Sequence, residues 1–137
     1  QSNLGDYLRF NHKEEIIEAT PNYTPSRIKI YNQNRLLAKN GVVKADFTNT
    51  ISTKQDRNPN AGVILQDDRM RYLTPRETFL LMGFPECKFE KLMKSNEGNS
   101  YFTNSHLYRM SGNSIVVDVL TKIFQEIERL KGIYFNE

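Results

Sequence analysis

This chain of 137 residues has one cysteine, no tryptophan and no long apolar run, and each shortage removes a class of protein. Cys87 alone cannot form an internal disulfide, so a disulfide-stapled fold is excluded and a reducing, cytoplasmic setting is expected. No stretch approaches the roughly 18 apolar residues of a membrane span, so no membrane partner is expected. The start of the chain has no basic segment followed by an apolar one, so no signal peptide is expected. Gln1-Ser2-Asn3 reads as the remnant of a cleaved tag, and fold reasoning begins at Leu4. The seven glycines have no spacing that suits a nucleotide-cradling loop. His12-Lys13-Glu14 matches the His-x-Glu of zinc deaminases, but no Cys-x-x-Cys follows, so no metal is expected. His106 reads as a surface or packing residue. No internal repeat or low-complexity tract is visible.

What is present suits one soluble, globular domain, since about 100 to 150 residues is the commonest domain size. The net charge is only +3, but it is unevenly spread. Residues 24 to 60 carry seven basic side chains (Arg27, Lys29, Arg35, Lys39, Lys44, Lys54, Arg57) against Asp46 and Asp56, a local +5. Residues 61 to 137 carry ten of each sign and cancel. A local basic excess suits a polyanion, because Lys and Arg displace counterions condensed on a phosphate backbone.

Leu4, Tyr7 and Leu8, then Ile16 and Ile17, predict one or two helical turns within residues 4 to 20. From Arg27 to Val43 the alternation of Ile28 and Ile30 with Arg27, Lys29 and Tyr31 predicts strand, with a hairpin turn at Asn40-Gly41. The polar segment from Asp46 to Gly62 reads as a surface loop. Val63, Ile64 and Leu65 predict a short strand, turning at Asp67-Asp68.

Thr74 opens the strongest local signal. Thr74 as N-cap, Pro75 at the first helical position and Glu77 at the third form a capping box with the preferred proline. The predicted helix is short, about residues 75 to 82, with Phe79 and Met82 on one face; Gly83 ends it and Pro85 prevents its restart. Residues 95 to 103 read as a flexible loop. A helix from Ser105 to Met110 follows, capped by Asn104 and ended by Gly112. A last helix is predicted from about Ser114 to Lys131, where Val116, Leu120, Ile123, Ile127 and Leu130 step by four and three along one face. Asp118, Lys122 and Glu126 fall at four-residue spacing and can pair along its surface.

Two of these stretches, taken together, are more specific than either alone. Leu73-Thr74-Pro75-Arg76-Glu77 with Leu81-Met82-Gly83-Phe84-Pro85, followed by Gly112-Asn113-Ser114-Ile115-Val116-Val117, resembles the last two sequence blocks of the bacterial DNA (cytosine-5)-methyltransferases. The likeness covers roughly residues 46 to 130. It implies an α+β fold: a small, loop-rich β recognition lobe (residues 4–73), then a helical segment (74–137) with a short capped helix and a long amphipathic one. That segment completes the large lobe that binds the cofactor S-adenosylmethionine. By the resemblance, Thr74, Pro75, Arg76, Glu77 and Gly83 are structural, and Asn113, Ser114 and Ile115 line the cofactor site. Read from the residues alone, Asn113 and Ser114 are caps of the last helix.

The family places its target-recognition region just before the first block, often at a Thr followed by an aliphatic residue. Thr50-Ile51 fits, and Thr50, Ile51, Ser52, Thr53, Lys54, Gln55 and Arg57 become candidates for contact with double-stranded DNA. A solvated loop is the plain alternative.

The family's nucleophile is a cysteine directly after a proline, whereas Cys87 follows Glu86. The glycine-rich cofactor loop, the Glu-Asn-Val block and the Arg-x-Arg block are also missing; Gln66, Arg69 and Arg71 imitate the last only superficially. No catalytic residue is expected here. The resemblance therefore implies the non-catalytic end of a restriction-modification methyltransferase, inactive without an N-terminal catalytic lobe. The bare face of the last helix predicts self-association of the isolated chain. The alternative is a stand-alone DNA-binding or regulatory module derived from the same family.

Overall fold

The computed structural model describes residues 3–29, 32, 42–43, 48, 50–57, 63–66, 69–97 and 101–134. A 3-10 turn at Leu4–Tyr7 and helix α1 (Lys13–Glu18) open the chain, as the apolar spacing there predicts. Residues 25–29 are helical, which corrects the start of the strand expected from Arg27 to Val43; Ile30 and Tyr31 of that alternation lie outside the described residues. The cause is local. Thr24 starts the turn, with Ile28 N–H donating to its carbonyl (2.9 Å) and Arg27 N–H to its hydroxyl (3.4 Å). Pro25 then takes the first helical position, where its missing N–H leaves nothing unpaired. The turns expected at Asn40-Gly41 and Asp67-Asp68 lie outside the described residues.

Three short strands form one sheet in the order β1 (Val42–Val43), β2 (Val63–Gln66), β3 (Arg69–Tyr72). β1 runs parallel to β2, with Val42 opposite Val63, and β2 pairs antiparallel with β3, with Val63 opposite Tyr72. Met70 and Tyr72, two residues apart on β3, point to one face and pack with Val63 and Ala19 in a small core. Tyr72 N–H donates to the Ala19 carbonyl (2.9 Å), so the end of α1 is stitched to the sheet edge.

Four helices follow: α2 (Pro75–Leu81), α3 (Glu86–Asn96), α4 (Asn104–Asn113) and α5 (Val117–Tyr134). Phe79 of α2, Phe89 of α3 and Leu107 of α4 make the second core, flanked by Phe84, Leu92, Met93 and Phe102. Phe79 meets the Phe89 ring edge-on at 5.2 Å, a geometry that contributes about 0.5–1.5 kcal/mol beyond burial.

α2 ends in a Schellman motif. Phe84 N–H reaches the Phe79 carbonyl (3.0 Å) and Gly83 N–H the Leu80 carbonyl (2.9 Å), while the Phe84 and Phe79 rings pack at 5.5 Å. Gly83 takes φ +84°, the left-handed conformation this motif requires.

The helical half differs from expectation in three places. Pro85 does not prevent a restart: it is the N-cap of α3, with Lys88 and Phe89 N–H donating to its carbonyl. The loop expected from residue 95 begins later, since Ser95 and Asn96 belong to α3 and the Asn96 side chain brackets the backbone of Phe102. Gly112 lies inside α4, whose N-cap is Thr103 rather than Asn104, and α5 starts at Val117 rather than Ser114. From Thr121 to Ile133 every residue of α5 is exposed. On its surface Arg129 pairs with Glu126 (2.6 Å).

Candidate nucleic-acid and cofactor interface

The body that carries the site is centred on Glu77. Its carboxylate, fully buried, accepts four hydrogen bonds: from Arg71 Nη1 (2.8 Å) and Nη2 (2.9 Å), Thr74 N–H (2.8 Å) and Arg9 N–H (2.9 Å). The Thr74 hydroxyl returns the cap by accepting from Glu77 N–H (3.2 Å). Arg71, equally buried, spends its other donors on Gln66 Oε1 (2.6 Å) and the Tyr72 carbonyl (2.9 Å). A buried pair tolerates desolvation when its remaining lone pairs and protons are also met, and here four of the five Arg71 N–H groups and both Glu77 oxygens are hydrogen-bonded. Arg71 is thereby committed inside the protein and cannot serve as an Arg-x-Arg pair with Arg69.

Arg76 projects from the same turn into an acidic cluster, bonding Glu15 (2.9 Å) and Glu86 (3.2 Å) and lying 5.0 Å over the Phe89 ring. Burial alone lowers the Arg76 pKa, but Glu15 and then Glu86 outweigh it and raise it above the ordinary arginine value. Burial likewise disfavours the charged form of Glu86, yet Arg9 and then Arg76 hold its carboxyl below the usual range. Arg9 closes the cluster from the N-terminal segment (3.0 Å to Glu86). Behind it, Tyr108 donates to the Leu73 carbonyl (2.7 Å). Burial, Asp56 and Glu77 push its hydroxyl far above the ordinary tyrosine range, so Tyr108 stays protonated as a fixed donor.

Of the residues expected to meet DNA, Thr50 and Ile51, and of those expected to meet cofactor, Ser114 and Ile115, line one cleft; Ser52, Thr53, Lys54, Gln55, Arg57 and Asn113 are not among its lining. This open cleft of about 540 Å³ is lined by Thr48, Thr50 and Ile51, by Leu81 and Met82, and by Gly112, Ser114, Ile115 and Val116. Thr50, Lys54 and Arg57 are exposed, and Ile51, Ser52 and Thr53 are half-buried. Arg35, Lys39 and Lys44 of the basic stretch lie outside the described residues.

Gln55 departs from expectation. It is 0% exposed, and its Oε1 accepts from Ser52 N–H (3.0 Å), so it holds a turn rather than offering an amide to a base edge. Asn113 and Ser114 cap nothing at the start of α5. Asn113 is the last residue of α4, and Ser114 is its C-cap, donating from its hydroxyl to the Ser111 carbonyl (2.7 Å). At the α5 N-terminus Val117 N–H donates to the Met82 carbonyl (3.0 Å) and Asp118 already supplies a negative charge, which leaves poor provision for a ligand carboxylate. Cys87 is exposed on α3, far in character from a nucleophile after proline. Among the described residues no group of His, Cys, Asp and Glu could hold a metal, and no helix is long and apolar enough to cross a membrane.

This α+β arrangement is the fold of part of a methyltransferase. The crystal structure of S. pombe Dnmt2 methyltransferase superposes on 98% of the chain with a TM-score of 0.63 at 21% identity, and the chain covers 42% of it. Residues 4–129 match the family described as C-5 cytosine-specific DNA methylase, and the chain belongs to that family. Among similar proteins, the orphan methyltransferase M.SPRI of Bacillus phage SPR is 36% identical over 88% of this chain and 25% of its own length. The type II methyltransferase M2.ScrFI of Lactococcus lactis subsp. cremoris is 36% identical over 61% of this chain and 22% of its own. The chain thus spans about a quarter of the curated relatives it matches.

Proposed function

We propose that this chain is the target-recognition and C-terminal portion of a restriction-modification DNA (cytosine-5)-methyltransferase acting in the cytoplasm. The whole enzyme transfers a methyl group from S-adenosylmethionine to carbon 5 of cytosine in a specific duplex sequence. The observation that supports this reading is the shared cleft of about 540 Å³, lined by Thr50 and Ile51 together with Ser114 and Ile115. Residues 4–73 supply recognition and residues 74–137 the cofactor wall. The division is one of function, because Arg9, Glu15 and Arg71 tie the first part to Arg76 and Glu77 of the second.

The cleft fits one wall of a cofactor pocket. Ile51, Leu81, Met82, Ile115 and Val116 give it apolar surface, and Thr48, Thr50 and Ser114 give it hydroxyls, with Thr48 Oγ1 buried and without a hydrogen-bond partner among the described residues. Such a lining suits the nucleoside end of S-adenosylmethionine better than its carboxylate. When bound, that cofactor supplies the methyl group. Ser114 and Ile115 would hold it, and exposed Asn113 adjoins them in the chain. On the DNA side, Lys54 and Arg57 meet phosphate, and Thr50, Ile51, Ser52 and Thr53 set the loop against the duplex.

Nothing here supplies the nucleophile, so the chain by itself is inactive. Mixing it with the separately made N-terminal lobe, labelled cofactor and duplex DNA should label the DNA, while neither piece does so alone. No label with both pieces folded would overturn the reading. Salt-sensitive, sequence-preferring gel shifts by the chain alone, without complementation, would instead support a stand-alone DNA-binding module.

A further inference from the structure

Gly112 has no torsional need to be glycine, since its φ is not positive, but it has a steric one. A Cβ at this position would lie 2.3 Å from Ser52 C and from Thr53 N, and 2.6 Å from Ser52 O. These are backbone atoms, so no side-chain rotation relieves the clash; the loop itself must retreat. On its other side the same loop is held by Gln55, whose buried Oε1 accepts from Ser52 N–H (3.0 Å) and Ser52 Oγ (3.4 Å). Arg57 N–H to the Lys54 carbonyl (3.2 Å) closes the turn. The Ser52-Thr53 peptide is therefore gripped between α4 and Gln55.

The grip sits where the two halves of the cleft meet. Thr50 and Ile51 directly precede the gripped peptide, and Ser114 and Ile115 directly follow Gly112. Moving one wall moves its distance from the other.

We propose that Gly112 and Gln55 form a positioning latch that sets the width of the cleft and couples the recognition loop to the cofactor wall, so that engagement of DNA and occupancy of the cleft favour each other. The functional consequence rests on the methyltransferase reading above; the latch itself does not. Neither residue touches reacting atoms. Both act through the backbone of Ser52 and Thr53.

Two measurements separate these levels. In the chain as it stands, hydrogen exchange of the amides from Ser52 to Gln55 should accelerate about tenfold in Gly112→Ala and in Gln55→Met, with amides of α2 and α3 unchanged. If Gly112→Ala does not fold, Gln55→Met carries the test from the loop side, because it removes the acceptor and keeps the volume. Unchanged loop exchange, or equal acceleration throughout the body, would overturn the latch. In the whole enzyme, target DNA should tighten S-adenosylmethionine binding by about fivefold or more, and both variants should bring that factor close to one. Wild-type coupling that survives in both variants would overturn the coupling role. A whole enzyme that binds neither DNA nor cofactor would refute the proposed function, leaving the exchange result to decide the latch by itself.

Discussion

The turn around Thr74 and the helix α5 are built on opposite principles. Around Thr74 every residue from Met70 to Leu80 is buried, and the two charges at its centre, Arg71 and Glu77, pair with each other through two hydrogen bonds. α5 buries almost nothing: Ile123 is 49% exposed, Phe124 61% and Ile127 50%, on a helix with an apolar stripe as regular as that of any core helix. An isolated helix of 18 residues has little stability of its own in water, and most helical stability comes from packing an amphipathic face. The charges of the turn are thus paired largely within the described residues, whereas the apolar face of α5 is left uncovered by them. Contiguous exposed apolar surface of this kind marks an interaction site.

The largest expected effect comes from breaking the buried turn. Glu77→Ala strands the buried Arg71 guanidinium and removes half of the capping box, and should cost about 3–5 kcal/mol in urea unfolding. Since a domain's whole stability is about 5–15 kcal/mol, loss of cooperative folding at 37 °C is an acceptable form of that result. Gly83→Ala comes next. Its left-handed backbone and a new Cβ 3.2 Å from Val117 Cβ should cost about 1–2 kcal/mol and loosen the junction with α5, measurable as a lower melting temperature.

A pH series sharpens the comparison at the edge of the same region. The Glu86 carboxyl lies below its ordinary value of 4.5 in the folded state, so its contribution is present above the unfolded pKa and is lost as pH falls through the folded one. Melting temperature should drop below about pH 4.5, and Glu86→Gln should flatten that limb while lowering the plateau near pH 7. The smallest effect belongs to α5. Ile123→Ser should change the stability of the chain by no more than about 0.5 kcal/mol. Sedimentation should show wild-type self-association through the α5 face, weakened in Ile123→Ser. A wild-type chain that stays monomeric at high concentration would contradict that part.

How much of this was legible in the sequence follows the same line. The capping box at Thr74 and Glu77 is a short-range signal and predicts α2 to within a residue. The Val63 strand and the apolar periodicity of α5 are equally local. Thr24-Pro25 is the same kind of start as Thr74-Pro75, yet the alternating isoleucines that follow it suggest strand. α3 is hidden from a local reading by Pro85, although proline is well suited at the start of a helix and Phe89, Leu92 and Met93 have helical spacing. Gly112 looks like a terminator because glycine usually ends helices by conformation; here it is required by the approach of Ser52, sixty positions away, which no local pattern reveals. The burial of Gln55 and the Arg9 and Glu15 contacts to Glu77 and Arg76 are long-range for the same reason. Family resemblance named the blocks, but geometry alone showed that they share a cleft.

The claim that α5 awaits the rest of the enzyme is tested most directly by its accessibility. In a Cys87→Ser background, Ile123→Cys should react with a thiol reagent at nearly the rate of a free thiol in the dilute, monomeric chain, and should be strongly protected in the whole enzyme. Equal labelling in both states would contradict the account.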